Sequence, residues 1–316
     1  IVEQGSFFGA VLSVLREKAA AGLDVRLAYD DFGCALTLPR NFSEELRRAG
    51  IRVTVLRPVK FPLRSLNRRN HRKIAVIDGE IGYVGGINLA DEYTGEKIRF
   101  GNWKDTALRV TGEPAQKLAG LFAEDAGISP PDFPPAKRGT LPCVPVSDTA
   151  HGENLRAGPC AHALLLARAE RYAYYYTPYL APDSALLHAF RCAAAAGVDV
   201  RILIPHIPDK KATFLLTRRF ARELERAGVQ VREYTAGFLH AKSAVTEEYA
   251  FVSSYNLDYR SLYLQAECGI AVKDGELVRK LTEDFLSTWE AGTPVKRARL
   301  PERVLTAIVS PFLPLV

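Results

Sequence analysis

The sequence predicts an α/β fold made of two tandem copies of one domain, related by pseudo-two-fold symmetry. Two observations lead to this prediction. Four sequence blocks recur in the same order, at offsets of 168 to 178 residues. Within each copy, amphipathic helical segments alternate with short runs rich in β-branched residues, which is the pattern of a sheet with helices packed on it.

The repeated blocks establish which parts of the two copies correspond. They are AAAGLDVRL from Ala19 and AAAGVDVRI from Ala194, EELRRAGIRV from Glu44 and RELERAGVQV from Arg222, NHRKIAVIDG from Asn70 and LHAKSAVTEE from Leu239, and VGGIN from Val84 and VSSYN from Val252. Because each block keeps its place in the order, we interpret the chain as the product of an internal duplication.

The elements of the first copy can be predicted in order. FFGAVLSVLREKAAAG predicts a helix that ends at Gly22, and DVRLAYD predicts a strand. SEELRRAG predicts a second helix with Ser43 as its N-cap and Gly50 as its stop, followed by the strand IRVTVL. RKIAVID and IGYVGG predict two strands joined by a turn at Asp78 and Gly79.

We expect four parts along the chain. The first domain covers 1–125, a proline-rich linker 126–150, the second domain 151–292 and an apolar tail 293–316. The prolines of the linker predict a segment without regular structure, either a flexible linker or an extended crossing. For the tail, packing against the core and contact with a membrane interface are both open interpretations.

The composition limits the kind of partner and the kind of site. The chain has 316 residues, a formal charge of +6 and a pI of about 9.0. A basic excess suits an anionic partner, such as nucleic acid, a phosphorylated metabolite or an acidic membrane surface. The five cysteines are scattered without a CxxC pair, so no zinc site and no complete disulfide framework are expected, and no other cofactor is expected either.

The sequence contains no recognisable transmembrane segment or signal peptide. No apolar run reaches the roughly 18 residues that span a bilayer, and there is no signal peptide. The sequence starts at Ile1 and contains no methionine. We therefore expect it to be a piece of a longer product, which leaves room for a preceding membrane anchor.

Each copy carries a set of polar residues that suits an anion. The set is His71, Lys73, Asp78, Gly85, Gly86 and Asn88 in the first copy, and His240, Lys242 and Asn256 in the second. Residues two apart on an extended segment share a face, so each histidine and lysine project together. Imidazole, ammonium and amide groups are donors for an anion with several oxygens, and paired glycines let the backbone approach it. The pattern predicts a phosphate site.

Two equivalent histidines predict a single site at the junction of the copies. One imidazole would attack phosphorus, and the other would protonate the leaving oxygen and then deprotonate the incoming one. The lysines and asparagines would hold the charge that develops on the phosphoryl oxygens. This scheme requires no metal, and the residues alone do not decide which histidine is the nucleophile.

Carboxylates are predicted to orient these imidazoles. Asp105 opens the strand DTALRV, and Glu267 opens the corresponding strand ECGIAV. An imidazole nucleophile needs an acceptor on its other ring nitrogen, so we expect each carboxylate to hold one histidine. The remaining histidines have no repeated context and are interpreted as structural or exposed: His151, His162, His188 and His206.

The second motif departs from the first after Lys242. Its acidic residue is Glu247 instead of an aspartate, and only five residues separate Glu247 from Ser253. Two interpretations are open. Either Glu247 replaces the aspartate in a shortened turn, or one residue is missing between Thr246 and Glu247, which would misalign the second half of the site.

The duplicated His-x-Lys-x4-Asp pattern resembles the phospholipase D superfamily. The flanks YDDFGC, GGINLADEY, NWKDT, YTPYLAPD, GFLHAK and NLDYRSLYLQAECG are similar to those of bacterial cardiolipin synthases, and the likeness runs from Ile1 to about Trp289. It implies a phospholipase D-like fold and phosphatidyl transfer between two phosphatidylglycerol molecules, with release of glycerol. It also implies a phosphatidyl-histidine intermediate on His71, with His240 as the acid and base.

The resemblance further implies a location and a set of site residues. The location is the bacterial cytoplasmic membrane, with the catalytic part facing the cytoplasm and the N-terminal membrane segments absent from this chain. The predicted catalytic set is His71, Lys73, Asp78, Asn88, Asp105, His240, Lys242, Glu247, Asn256 and Glu267. The candidate lipid or phosphate contacts are Arg64, Arg68, Arg69, Gly85, Gly86, Ser253 and Ser254.

The expected partners are anionic phospholipids and the membrane surface. LRPVKFPLRSLNRRNHRK interleaves basic and apolar residues just before the first motif, a pattern that favours an anionic leaflet over nucleic acid. PDKKATFLLTRRF is its counterpart in the second copy. The alternatives are a nuclease, another lipid headgroup transferase such as a serine-accepting one, and a pseudoenzyme that binds anionic lipid.

Overall fold

The computed structural model describes residues 1–59, 66–136, 139–150, 156–298 and 300–310. The helices are α1 (Ser6–Ala20), α2 (Asp31–Cys34), α3 (Phe42–Arg48), α4 (Glu113–Ala126), α5 (Ala157–Arg168), α6 (Ser184–Ala195), α7 (Lys211–Glu225), α8 (Tyr259–Leu264), α9 (Gly275–Glu290) and α10 (Leu300–Val309). The strands of the first half are β1 (Arg26–Asp30), β2 (Arg52–Leu56), β3 (Ile74–Ile77), β4 (Ile81–Gly85), β5 (Asn102–Lys104) and β6 (Ala107–Thr111). Those that follow are β7 (Cys143–Asp148), β8 (Tyr172–Tyr176), β9 (Leu180–Ala181), β10 (Asp199–Pro205), β11 (Gln230–Tyr234), β12 (Gly237–Leu239), β13 (Ser243–Thr246), β14 (Ala250–Ser253), β15 (Leu257–Asp258), β16 (Glu267–Val272) and β17 (Gly292–Pro294).

The second half is organised around an eight-stranded mixed sheet. Its strand order is β17-β11-β10-β8-β13-β14-β16-β7, with β8, β10 and β11 parallel and the hairpin β13-β14 antiparallel beside them. The central strands are buried on both faces, because α5, α6 and α7 cover one side and α9 covers the other. This is the layered arrangement predicted for an α/β domain.

The first half repeats the same strand order in two smaller sheets. β1 and β2 pair in parallel, and β3-β4-β6 form an antiparallel sheet, matching β10-β11 and β13-β14-β16. Among the described strands of this half, none joins β1 to β3 as β8 joins β10 to β13. Gly22 and Gly50 end their helices with φ values of 86° and 81°, as predicted. The α/β prediction is confirmed.

The two halves share part of one core. Val84 and Val110 of the first half pack with Cys268, Ile270 and Val272 of the second in one buried cluster. Burial of a side chain of this size contributes roughly 1.5–3 kcal/mol, so the contact holds the two sheets together. It also fixes the ends of β4 and β16 next to each other, which is where the polar residues of the two motifs lie.

The structure corrects two expectations about the linker and the tail. Cys143–Asp148, inside the predicted linker, forms β7 and pairs with β16. Pro145 is tolerated there because β7 is an edge strand, where a missing N–H breaks no ladder. At the tail, Gly292–Pro294 forms the opposite edge strand, β17, and a helix follows; residues 311–316 lie outside the described residues.

Smaller corrections concern the start of α3 and membrane-spanning helices. The α3 helix begins two residues earlier than expected, so Asn41 and not Ser43 is its N-cap. Within the described part of the chain, no helix is both long and apolar enough to cross a bilayer.

Candidate functional site

The two motif histidines line one cavity. His71 and His240 both face a space of about 500 Å³ that is also lined by Asn88, Asn256 and Arg69. Both halves of the chain therefore contribute to it, in agreement with the prediction of one shared site. Within the described ranges, no group of three or more His, Cys, Asp and Glu residues has an arrangement that could hold a metal ion.

Short strand pairings between the halves bring the catalytic groups together. β12, which leads to His240, pairs in parallel with β5, which leads to Asp105. In the same way, Asn70 bridges Ala266, so His71 comes to lie beside Glu267. His71 N donates to Ala266 O at 2.9 Å, and His240 N donates to Lys104 O at 2.8 Å. One backbone pattern, used twice, builds both sides of the site.

Each imidazole is held by a carboxylate from the other half. His71 Nδ1 lies 2.9 Å from Glu267 Oε1, and His240 Nδ1 lies 2.7 Å from Asp105 Oδ2. The prediction that each carboxylate holds one imidazole agrees with these contacts, and the structure adds that the pairs are crossed between copies. Because Nδ1 is engaged with a carboxylate, Nε2 is the ring nitrogen left for chemistry on each histidine.

Glu267 is fully buried and surrounded by hydroxyl donors. Ser254 Oγ donates to its Oε2 at 2.5 Å, and Ser261 Oγ donates to its Oε1 at 2.5 Å. Burial raises the pKa of Glu267 to about 7, against the opposing effect of the nearby Lys73 charge. Because the two hydroxyls donate to this carboxylate, its negative charge interacts less strongly with His71.

Asp105 has a different environment, although it occupies the equivalent position. It accepts a hydrogen bond from Thr106 N at 2.7 Å, and the residue that corresponds to Ser254 is Gly86. A Cβ on Gly86 would lie 2.1 Å from Asp105 Oδ1, so only glycine lets the carboxylate take this position. The two carboxylates are therefore not equivalent, in spite of the duplicated fold.

Burial favours the neutral form of both motif histidines. Burial and the neighbouring Lys73 hold the pKa of His71 well below its usual value. Burial also lowers the pKa of His240, whose ring is enclosed by Tyr93 and Trp103 at centroid distances of 5.4 and 5.5 Å. An anionic ligand in the cavity would oppose this shift, because negative charge stabilises an imidazolium.

The two motif lysines donate hydrogen bonds to the backbone of the two motif histidines. Lys73 Nζ donates to the backbone oxygen of His71 at 2.6 Å, and Lys242 makes the equivalent contact with His240. Burial lowers the pKa of Lys73 to about 8 and that of Lys242 to about 7. Neither Lys73 nor Lys242 is among the described residues that line the cavity.

The asparagines and Arg69 do line the cavity. Asn88 Nδ2 donates to Tyr93 Oη at 2.6 Å, whereas Asn256 Oδ1 is buried with no hydrogen-bond partner among the described residues. Arg69 also forms a buried ion pair with Asp30 at 2.9 Å. Asn256 thus offers an amide that a ligand could engage, and Arg69 offers a fixed positive charge.

Asp78 and Glu247 do not lie at the imidazoles, which corrects their place in the predicted catalytic set. Asp78 is exposed in the β3–β4 turn, roughly 23 Å along the strand from His71 at 3.3 Å per residue. Glu247 accepts hydrogen bonds from the backbone N–H groups of Glu170, Arg171 and Tyr172. Both acidic residues therefore lie at the turns of their hairpins, at the end that is distant from the histidines.

The one-residue difference between the motifs is absorbed in the hairpin turn. Ile74 pairs with Val84 in the first copy, and Ser243 pairs with Val252 in the second. In each pair, the first residue directly follows the motif lysine, and the second directly precedes the Gly-Gly or Ser-Ser dipeptide. The shorter turn at Glu247 therefore leaves the second half of the site in register. The misalignment expected from a missing residue is therefore not present in the strand register.

Two of the remaining candidate contacts, Gly86 and Ser254, lie at the carboxylates Asp105 and Glu267. Gly85, Gly86, Ser253 and Ser254 are absent from the described lining of the cavity. A Cβ on Gly85 would lie 2.3 Å from Thr106 O, so this glycine permits a close approach of backbone to backbone. Arg68 is exposed, and Arg64 lies outside the described residues.

Several lining residues were not assigned from the sequence. They are Asp30, Tyr93, Trp103, Tyr179, Lys210 and Asp258. Tyr93 and Ser261 each lie five positions after a motif asparagine. Their equivalent places in the two copies could therefore have identified them as candidate site residues. At this position the second copy has Ser261, whose short side chain reaches Glu267. The first copy has the longer Tyr93, which reaches His240 instead.

The arrangement suits transfer of an anionic group through a covalent intermediate. Two imidazoles line one cavity, and each has Nδ1 against a carboxylate, which leaves Nε2 for chemistry. Asn88, Asn256 and Arg69 line the same cavity and can donate to oxygens. Such a pair can supply one nucleophile and one proton carrier to the same centre. The environments of Glu267 and Asp105 differ, so the two imidazoles are held by unlike partners.

Comparisons with known proteins give the relatives of this chain. A family model described as "Cardiolipin synthase, PLD-like domain" matches residues 8–118 and 164–289. Cardiolipin synthase 2 of Bacillus cereus is 34% identical over 336 residues, covering 99% of this chain and 65% of the relative. A cardiolipin synthase of Staphylococcus aureus is 35% identical over 317 residues, covering 96% of this chain and 64% of the relative. The chain thus spans slightly less than two thirds of these two relatives.

A solved structure supports the fold. The phosphatidylserine synthase of Haemophilus influenzae has a TM-score of 0.74 and 14% identity, covering 100% of this chain and 88% of that one. At this identity the likeness shows the fold, and it carries no information about the substrate.

Proposed function

Because this chain belongs to the family of cardiolipin synthases with phospholipase D-like domains, we propose that it transfers a phosphatidyl group from one phosphatidylglycerol to another, forming cardiolipin and releasing glycerol. The observation that carries this proposal is the pair of crossed histidine–carboxylate contacts that face one cavity. We place the reaction at the cytoplasmic side of the bacterial cytoplasmic membrane, where its lipid substrates would be found.

In the first step, His71 Nε2 attacks phosphorus and the bond from phosphorus to the glycerol oxygen breaks. His240, protonated at Nε2, gives its proton to that oxygen, and glycerol leaves. The product of this step is a phosphatidyl group on His71. Glu267 holds the opposite ring nitrogen of His71, so the imidazole attacks with the correct tautomer and orientation.

In the second step, a hydroxyl of the second phosphatidylglycerol attacks the phosphatidyl group. Its proton passes to His240, and the bond between phosphorus and His71 Nε2 breaks. Cardiolipin leaves with both histidines restored to their starting protonation states. Arg69 and the amide Nδ2 of Asn256 are the lining donors that would hold the phosphoryl oxygens in both steps.

The unequal carboxylates support the assignment of roles. Glu267 shares its charge with two serine hydroxyls, so it stabilises an imidazolium on His71 less than Asp105 does on His240. The less basic imidazole is the better candidate for the neutral nucleophile, and the more basic one for the proton carrier. This argument agrees with the roles that the family resemblance implies.

The proposal is tested with purified protein and phosphatidylglycerol in detergent micelles. We expect cardiolipin and glycerol in equal amounts, and a phosphatidyl adduct on His71 in protein quenched during turnover. Serine added as an acceptor should not be incorporated. Phosphatidylserine formation would favour the other headgroup transferase, cleavage of DNA would favour the nuclease, and no product with intact lipid binding would favour the pseudoenzyme.

The pH dependence of the reaction should report the buried histidines. Turnover should be bell-shaped with pH, since one histidine must be neutral and the other protonated, and both apparent pKa values belong to the coupled pair. Burial lowers the pKa of His240 in the free protein, and the phosphodiester charge raises it in the complex. The basic limb of kcat should therefore lie at least about one pH unit above that of kcat/KM. A basic limb at the same or a lower pH in kcat would contradict this assignment.

A further inference from the structure

The C-terminal helix α10 is attached to the protein by a face that carries Val309 and three polar residues. Glu302 forms an ion pair with Arg222 of α7 at 3.1 Å, and Ser310 accepts a hydrogen bond from Arg219. Thr306 is buried between them. These contacts lie four residues apart along the helix, so they define one face, and that face is turned toward the second half of the chain.

The opposite face of α10 is apolar and exposed to solvent. Leu300, Val304, Leu305 and Ile308 are 72%, 54%, 49% and 60% exposed. Their spacing places them on one side of the helix. A surface helix of a globular protein normally turns such a stripe inward, so the reversed orientation marks this face as an interaction surface.

Basic residues flank the apolar face. Arg297 and Arg303 are exposed beside it, and with Arg219, Arg222 and Arg226 they line a cleft between α7 and the end of the chain. Two glutamates also line this cleft, so positive charge predominates. An apolar helix face bordered by arginines is the composition of a helix that lies in the interface of an anionic membrane.

Helix α7 connects this surface to the active-site cavity. Thr213 near its N-terminus lines the cavity, and Arg222 near its C-terminus holds α10. At 1.5 Å per residue, the two positions are about 14 Å apart along the helix axis. A bilayer in contact with α10 would therefore lie within the length of one phospholipid of the cavity.

We propose that α10 is an interfacial membrane contact, with Leu300, Val304, Leu305 and Ile308 among the acyl chains and Arg297 and Arg303 at the lipid phosphates. A second copy of the chain is the competing occupant. A symmetric contact between two α10 faces would bring like arginines together, whereas an anionic leaflet neutralises them. The inference does not depend on the proposed reaction, because it concerns adsorption to lipid and no catalytic group.

The test uses sedimentation of the purified chain with vesicles of phosphatidylcholine alone or with 30% phosphatidylglycerol. The double variant Leu305→Ser/Ile308→Ser should bind the mixed vesicles at least tenfold more weakly than wild type. A matched control, Val14→Ser/Leu164→Ser, removes two apolar side chains of similar exposure from α1 and α5 and should bind as wild type does. Equal binding of wild type and the α10 variant would overturn the proposal.

The charge component is tested separately. Arg297→Glu/Arg303→Glu should lose the preference for phosphatidylglycerol vesicles, and its binding should respond less to added salt than that of wild type. A dimer that dissociates in the α10 variant, with vesicle binding unchanged, would assign this face to a second copy and overturn the proposal.

Turnover of micellar phosphatidylglycerol separates this inference from the proposed function. We expect the α10 variants to keep micellar turnover within about twofold of wild type, since they leave the cavity intact. If wild type binds vesicles but shows no turnover, the proposed function is contradicted while the proposed α10 contact is still supported. Loss of micellar turnover together with vesicle binding in the α10 variant would count against a purely interfacial role.

Discussion

Replacing His71 by alanine should lower phosphatidyl transfer by about 10⁵- to 10⁶-fold, because the variant has no nucleophile for the first step. His240→Ala should lower it by about 10³- to 10⁴-fold, the usual effect of losing a general acid and base. The double variant should be scarcely slower than His71→Ala, since both groups act on one covalent intermediate. Cardiolipin formation in micelles measures all three.

A substrate with a 4-nitrophenolate leaving group distinguishes the two roles. This leaving group needs no proton, so His240→Ala should regain the first step and accumulate an adduct on His71, whereas His71→Ala should not react. His206→Ala is the control, because His206 pairs with Glu233 away from the cavity and should leave turnover near wild type. Adduct formation in His71→Ala would show that the roles are reversed.

Glu267→Gln should lower turnover by about 10³- to 10⁴-fold while the protein remains folded. The amide oxygen would still accept from one serine. The amide as a whole would favour the wrong tautomer of His71, and an effect of this size is known where a histidine loses its orienting carboxylate. The basic limb of the pH profile should persist, because His240 and Asp105 are unchanged. Turnover and the pH profile are both measured in micelles.

The stability of this variant should depend on pH with a defined sign. Burial raises the pKa of Glu267 from 4.5 to about 7 in the folded protein, so its ionisation destabilises the fold as pH rises between those values. The destabilisation that glutamine removes above pH 7 is on the order of 3 kcal/mol at most. The Tm difference, variant minus wild type, should therefore increase from pH 5 to pH 8.

Glu233→Gln is the matched control for that experiment. Glu233 is also fully buried and paired with a histidine, but it is further held by Arg218 at 2.6 Å and lies away from the cavity. Its replacement should leave turnover near wild type and lower the Tm, since it breaks a buried ion pair. Equal losses of turnover in the two variants would remove the special role of Glu267.

The sequence by itself indicated the histidine–lysine pairs of the site. His71 and Lys73, like His240 and Lys242, are two apart on extended chain, and this spacing alone fixes that they project together. The repeat predicted one shared cavity. Those inferences depend only on spacing within a copy and on likeness between copies, both of which are written in the order of residues.

Relations between segments distant in the chain were decided by the tertiary structure. The pairing of His71 with Glu267 depends on Asn70 meeting Ala266. The register that keeps Ser243 opposite Val252 depends on how a turn takes up one missing residue. The outward apolar face of α10 depends on Arg222 and Glu302 being brought together. The local sequence does not specify which strands and helices become neighbours, because that choice is made by burial across the whole chain.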